Sequence, residues 1–320
     1  MIGVDVGGTK VSVAAMHGGT HGEPLVRPTD RSSTEALIAQ FVSQVGEVAG
    51  GETPAAVGFG IPSVVEFASG RVRSSTNIPL ADVPLRTVLS ERLGVPVFVD
   101  NDATVAALAE AHDEVARLAT RCLVMITVGT GIGGGIVIDG RAFRGATGAA
   151  GEIGHTLVAI DASIPAATAH FPQPGSLEAL AAGHALDGLA REAAAAHPDS
   201  ALGRVLAQRG AVAGPDAVAA AQAGDEVAVA CVATLGRRLG IGVANMINTF
   251  DPEVVAIGGG VSSAGDLLLA PARAAAAEYV LPGVGTETEI RIARSGPQAG
   301  VRGAALLARS ELNEHHGAAR

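Results

Sequence analysis

A carboxylate that closes a short apolar strand and runs straight into two glycines, Asp5-Val6-Gly7-Gly8-Thr9-Lys10, constrains this chain more than any other stretch. Ile2–Val6 supplies a buried strand, and Asp5 at its end can hold a magnesium ion or its water shell. Gly7 and Gly8 let backbone N–H groups approach phosphate oxygens, while Thr9 and Lys10 add a hydroxyl and a cation. Taken alone, a strand, a Gly-Gly turn and a second strand also read as a tight hairpin.

Two later glycine runs shift that balance. Thr127-Val128-Gly129-Thr130-Gly131-Ile132-Gly133-Gly134-Gly135 lies between the apolar runs 123–126 and 136–138, which reads as strand, phosphate-sized loop, strand. Gly258-Gly259-Gly260-Val261-Ser262 follows an apolar strand at 253–257 and leads into a helical segment near Ala264, whose N-terminus favours anions. None of the three has the Gly-Lys-Ser/Thr of a P-loop, or a Gly-x-Gly-x-x-Gly opening a helix with an acidic residue downstream. A nucleotide site built from them is of another kind.

The chain's 320 residues, 48% of them hydrophobic, suit two domains with sizeable cores. A net charge of −10 without a Lys/Arg cluster argues against a nucleic-acid surface. Cys122 and Cys231 lie in apolar runs and read as small buried hydrophobes, so neither a disulfide framework nor a cysteine metal site is expected. No basic leader precedes Asp5, and Gly, Pro or charge interrupts each apolar run before it reaches spanning length, so a cytoplasmic protein without a membrane partner is expected.

Strands are expected at Ile2–Val6, 11–15, 25–27, 55–59, 95–99, 123–126, 253–257 and 290–294. Helices are expected at Thr34–Ala49, 103–119, Glu226–Phe250 and 301–309, with an Ala-rich helical or loop-like stretch over 179–225 and a polar, disordered tail at 313–320. This is α/β order with a weak internal duplication. It divides as a small domain at 1–117 and a large domain at 118–299, followed by a C-terminal helix at about 300–312.

Asp100-Asn101-Asp102 sits where a buried strand turns into a helix. Asp102 fits a helix N-cap, but three consecutive polar residues exceed what one cap needs. A carboxylate there suits the base that phosphoryl transfer to a hydroxyl requires.

In order and spacing, these motifs resemble the superfamily of sugar kinases, actin and heat-shock chaperones, and within it the ROK family of bacterial sugar kinases and sugar-sensing repressors. The resemblance runs from Ile2 to about Leu307 through Asp5 to Lys10, Gly60-Ile61-Pro62, Asn77-Ile78-Pro79, Asp100-Asn101-Asp102-Ala103, the glycine run ending at Gly135, Gly151-Glu152-Ile153-Gly154-His155, and the segment 256–262. It implies a two-domain actin-like ATPase (ribonuclease H-like) fold with the active site in the interdomain cleft. It further implies Asp102 as general base, Asn101 as a sugar ligand, and Asp5 near magnesium-bound phosphates. Gly8, Thr9, Thr130 and Gly131 then face the β- and γ-phosphates, beside Gly7 and Lys10, and Gly259 and Gly260 line the adenosine side. Glu152, His155, Glu178 and Asn77 become further sugar contacts; without the resemblance His155 reads as a satisfied buried histidine and Glu178 as a first-turn helix carboxylate. ATP and Mg2+ are the implied cofactors, and a homodimer or dimer of dimers is the implied assembly.

The chain departs from the family where most members carry a Cys-x-Cys-Gly-x-x-Gly-Cys run that binds structural zinc with the histidine. Here the segment is Ala169-His170-Phe171-Pro172-Gln173-Pro174-Gly175-Ser176, and His155 with His170 cannot complete a tetrahedral site. No structural zinc is expected, with Pro165, Pro172 and Pro174 stiffening the loop instead. The function this implies is ATP-dependent phosphorylation of a hexose, glucose first. Mannose, fructose, allose, N-acetylmannosamine or N-acetylglucosamine are alternative substrates, polyphosphate an alternative donor, and a non-catalytic sugar sensor an alternative role. With only Met1 ahead of the first strand, a DNA-binding repressor is not expected.

Overall fold

Strand β1 (Ile2–Val6) buries Ile2, Val4 and Val6 completely or nearly so, and the Gly-Gly turn returns it antiparallel as β2 (Lys10–His17). The computed structural model describes residues 1–75, 77–159 and 171–318. Its chain divides into two units, the first comprising Met1–Met125, Gly135–Gly151 and Arg294–Arg320, the second Ile126–Gly134 and Glu152–Ala293.

In the first unit, β3 (Thr20–His21) and β4 (Leu25–Pro28) both pair with β2. Helix α1 (Thr34–Ala49) is capped by the Ser33 side chain and covers the sheet with Leu37, Ile38, Phe41 and Val45. Strand β5 (Val57–Ile61) is buried throughout, as a central parallel strand must be. A two-stranded hairpin, β6 (Val64–Glu66) with β7 (Arg71–Ser74), and helix α2 (Leu85–Leu93) lead to β8 (Val97–Asn101) and helix α3 (Asp102–Glu110). The sheet order is β3-β2-β1-β5-β8, with β1, β5 and β8 parallel. Their register sets Asp5 beside Gly60 and Gly60 beside Asp100, one row at the C-terminal ends of three parallel strands, where α/β sheets place their ligands.

Strands β9 (Leu123–Val128), β10 (Ile132–Ile138) and β11 (Arg141–Ala142) belong to a second sheet. The second unit continues with the short helix α4 (Leu177–Ala181), then α5 (Gly183–Ala196), α6 (Ala201–Arg209), α7 (Gly214–Gln222) and α8 (Glu226–Phe250). Strand β12 (Val254–Gly258), helix α9 (Asp266–Tyr279) and strand β13 (Glu289–Ile292) complete it, and the sheet order is β11-β10-β9-β12-β13. The last helix, α10 (Ala299–Ala318), returns to the first unit.

Four expectations need correction. The helix after Asp102 stops at Glu110 instead of continuing to 119, because the Asp113 carboxylate accepts from Val115 and Arg117 N–H groups and closes a local turn. Of the second glycine run only Gly129 to Gly131 turns; Gly133, Gly134 and Gly135 are strand residues of β10. The tail expected to be disordered from 313 is helical to Ala318, since no Gly or Pro falls between Gly303 and Gly317 and the last turns pair Glu311 with Arg144 and Glu314 with Arg141. Finally, α8 is one uninterrupted helix, long and apolar enough in composition to span a membrane despite Arg237 and Arg238; 56% of its most apolar 18-residue window is buried within the protein. It packs chiefly against α9.

Helix α10 lies across β1, β5 and α3 at backbone contact. A Cβ on Gly58 would collide with the Ala304 carbonyl oxygen, and one on Gly303 with that of Val105. Because backbone cannot yield as a side-chain tip can, Gly303→Ala is expected to destabilise the protein by about 3 kcal/mol in urea unfolding. An unchanged midpoint would show that the helix does not seat this closely.

Candidate active site

Each unit presents its own set of polar groups. In the first, the β1–β2 turn places the Gly7 N–H on the Lys10 carbonyl oxygen at 2.8 Å, and the Gly7 carbonyl accepts from the Thr29 hydroxyl at 2.7 Å. The Gly7 N–H is therefore used inside the hairpin. Thr9 and Lys10 are exposed at the turn, and Asn77 lies against Gly8.

The Asp5 carboxyl faces Gly300 of α10 so closely that any larger residue there would strike it. Burial pushes Asp5 up to about 6, against the opposing pull of the Lys10 ammonium. A carboxyl so poorly solvated favours a proton or a cation, which is the donor chemistry a phosphate-bound magnesium ion needs.

At the end of β8 the Asp100 carboxylate accepts from the Asn101 N–H at 2.9 Å. The Asn101 side chain caps α3, its Oδ1 accepting from Ala103 and Thr104 N–H groups at 2.9 and 3.3 Å, while its Nδ2 donates to the Ser63 carbonyl. Asp102 opens the helix, one oxygen accepting from Ala103 N–H at 2.8 Å. The cap is thus Asn101, and Asp102 is the first helical residue.

The second unit gathers Glu152, His155, Glu178, Thr130 and Gly131. Glu152 and His155 flank the short turn Ile153–His155, with carboxylate and imidazole 3.8 Å apart and the His155 ring edge-on to Phe171. Leu177 N–H donates to the Thr156 carbonyl, which brings the start of α4 to that turn. Glu178 then reaches the glycine turn: its Oε2 accepts from Ile132 N–H at 2.7 Å and lies against Gly131. The residue expected only on the sugar also ties down the phosphate turn.

A cavity of about 560 Å3 opens beside this turn, lined by Gly129, Thr130 and Gly260 together with Asp187 on α5, Pro215 and Gln222 on α7. That is an ordinary size for a cofactor site. Gly259, at φ 83°, sits against the end of β9 where no side chain could fit. Sequence reading missed the walls supplied by α5 and α7, because their Ala-rich pattern carries no chemical signature; the Gly214-Pro215 pair opens α7 at the cavity. Among the described residues no three His, Cys, Asp or Glu side chains converge as a metal site. Pro165, Ala169 and His170 fall outside the described residues.

Residues 1–311 match the model of the ROK family. A glucokinase of Halalkalibacterium halodurans is 35% identical, covering 98% of this chain and 96% of that protein. An N-acetyl-D-glucosamine kinase of Aliivibrio fischeri is 33% identical over 95% and 98%. The structure of a ROK family glucokinase from Streptomyces griseus in complex with glucose and AMPPNP superposes with a TM-score of 0.80 at 32% identity, covering 97% of this chain and 99% of that one.

The raised Asp5 carboxyl predicts a pH-dependent stability. Below about pH 4 both folded and unfolded states hold the proton and nothing is lost; as pH rises through about 6 the folded state must ionise a buried group, at a cost of about 3 kcal/mol. Asp5→Asn is expected to melt higher than the parent at pH 8 and together with it at pH 4. A variant that melts lower at pH 8 would contradict this.

Proposed function

The chain belongs to the ROK family, and on that premise we propose that this sugar kinase transfers the γ-phosphoryl group of ATP to the 6-hydroxyl of glucose. Its fold is the two-domain actin-like ATPase fold of that family. The observation that carries the reading is the glycine turn at Gly129 to Gly131 opening on a nucleoside-sized cavity and tied to the sugar-side carboxylate Glu178. Such a cavity favours a nucleotide over polyphosphate as donor, since a polymer of phosphates has no base to place in it.

In the proposed mechanism Asn101, Asn77, Glu152, His155 and Glu178 hold hydroxyls of the sugar. Carboxylates, amides and an imidazole suit a polyol because each can accept from or donate to it. Asp102 accepts the proton of the 6-hydroxyl as that oxygen bonds to the γ-phosphorus, and the bond from phosphorus to the β-phosphate bridging oxygen breaks to release ADP. Gly8, Thr9, Lys10, Thr130 and Gly131 contact the phosphates, and Gly259 and Gly260 bound the adenosine. Asp5 would hold the magnesium ion directly or through water, and the ion, when bound, neutralises charge on the β- and γ-phosphates. The first-turn position of Asp102 orients its half-buried carboxylate through the Ala103 N–H.

We also propose that the segment around 169–176 is held without zinc, its cysteines being replaced; stoichiometric zinc in purified protein would overturn this. Substrate choice is tested by ADP release across a panel of hexoses and N-acetylhexosamines, with Asp102→Asn alongside. Glucose is expected to turn over fastest, and the variant to lose about 10²- to 10⁴-fold in kcat while still binding sugar. A preference for N-acetylglucosamine would reassign the substrate, and near-full activity in the variant would remove Asp102 as base.

A further inference from the structure

Arg144 stands in the loop after β11, outside every motif that led to the site, yet three segments of the first unit converge on its guanidinium. Its Nε donates to Asp100 at 2.7 Å and its Nη2 to Glu311 of α10 at 3.0 Å. Its plane covers the Phe67 ring with the central carbon 3.5 Å from the ring centroid, while Arg86 approaches the same ring at 5.4 Å. Arg86 in turn donates to the Phe67 and Ala68 carbonyls, which fixes the loop that carries the ring. The Asp100 side chain is only 1% exposed and that of Arg144 18%, so this pair is shielded from solvent screening.

We propose that Arg144 is a positioning residue for phosphoryl transfer, holding Asp100 so that the strand end bearing Asn101 and Asp102 keeps a single geometry. The inference rests on the assignment of Asp102 as base. A buried carboxylate with no partner would take a proton, and burial already pushes Asp100 upward while Arg144 draws it back. As an anion, Asp100 accepts from Asn101 N–H, and Asn101 caps the helix that begins at Asp102. The chain of contacts therefore runs guanidinium, carboxylate, backbone, cap, base. A bulkless ammonium cannot reproduce it: Lys has no planar face for Phe67 and no fork to span Asp100 and Glu311. The small distortions that would follow are of the kind that cost rate more than binding.

The test measures kcat and sugar KM for the parent, R144M and R144K, each also in the D102N background. With Asp102 intact, R144M is expected to lower kcat by roughly 10²-fold and R144K by roughly 5-fold, with sugar KM changed less than about 3-fold. In the D102N background the same substitutions are expected to cost less than about 2-fold, because a residue that acts through Asp102 has nothing left to position. A role in folding alone would lower the amount of active protein equally in both backgrounds, and that result would overturn the inference, as would R144K with parental kcat. R144K retains the charge and carries the test if R144M does not fold. A parent protein that phosphorylates no sugar overturns the kinase reading and this inference together; an active parent with additive variants overturns this inference alone.

Discussion

Three parallel strands in one register hold Asp5, Gly60 and Asp100 side by side, and the rest of the first unit is arranged around that row. Two carboxyls on buried strands of one sheet are expensive, and the strand that lies between them carries a glycine at that row and so adds no side chain there. Each then finds a different solution. Asp5 rests against Gly300 with its carboxyl raised by burial, against the pull of Lys10. Asp100 is neutralised inside the protein by Arg144. A fold selected for stability alone would place apolar residues at both positions, so two carboxyls in this row make it the candidate edge for chemistry.

The second unit holds its own glycine turn without a lysine. Its glycine turn relies on backbone groups, and the turn's shape comes from within the unit: Gly183 N–H and the His184 ring bond to the Gly129 and Thr130 carbonyls, and Glu178 takes the Ile132 N–H. Glu178 thus ties the start of α4 to the glycine turn.

Much of this was legible in the sequence because the motifs are local. Asp5 to Lys10, Asp100 to Asp102 and Gly151 to His155 each combine a strand or turn with polar residues whose spacing survives without tertiary knowledge. Thr34–Ala49 and Glu226–Phe250 were readable end to end, since a serine or aspartate cap precedes each and the apolar period is sustained. What was not legible depends on contacts distant in sequence. Arg144 lies 44 positions from Asp100 and 167 from Glu311, and no periodicity announces either pairing. The early stop of α3 comes from the Asp113 turn, which competes with a helix that alanine propensity would extend. The glycines Gly133, Gly134 and Gly135 look like a loop by composition but pair as a strand, one of them because Ala103 leaves no room for a side chain.

The most direct measurement of the central claim is the fate of the transferred phosphorus, followed by 31P NMR with magnesium-ATP and glucose. Phosphate esterified to the sugar 6-oxygen, appearing in step with ADP, is the predicted result. Phosphate released as the inorganic ion while glucose stays unchanged, or esterified at the anomeric oxygen, would contradict it.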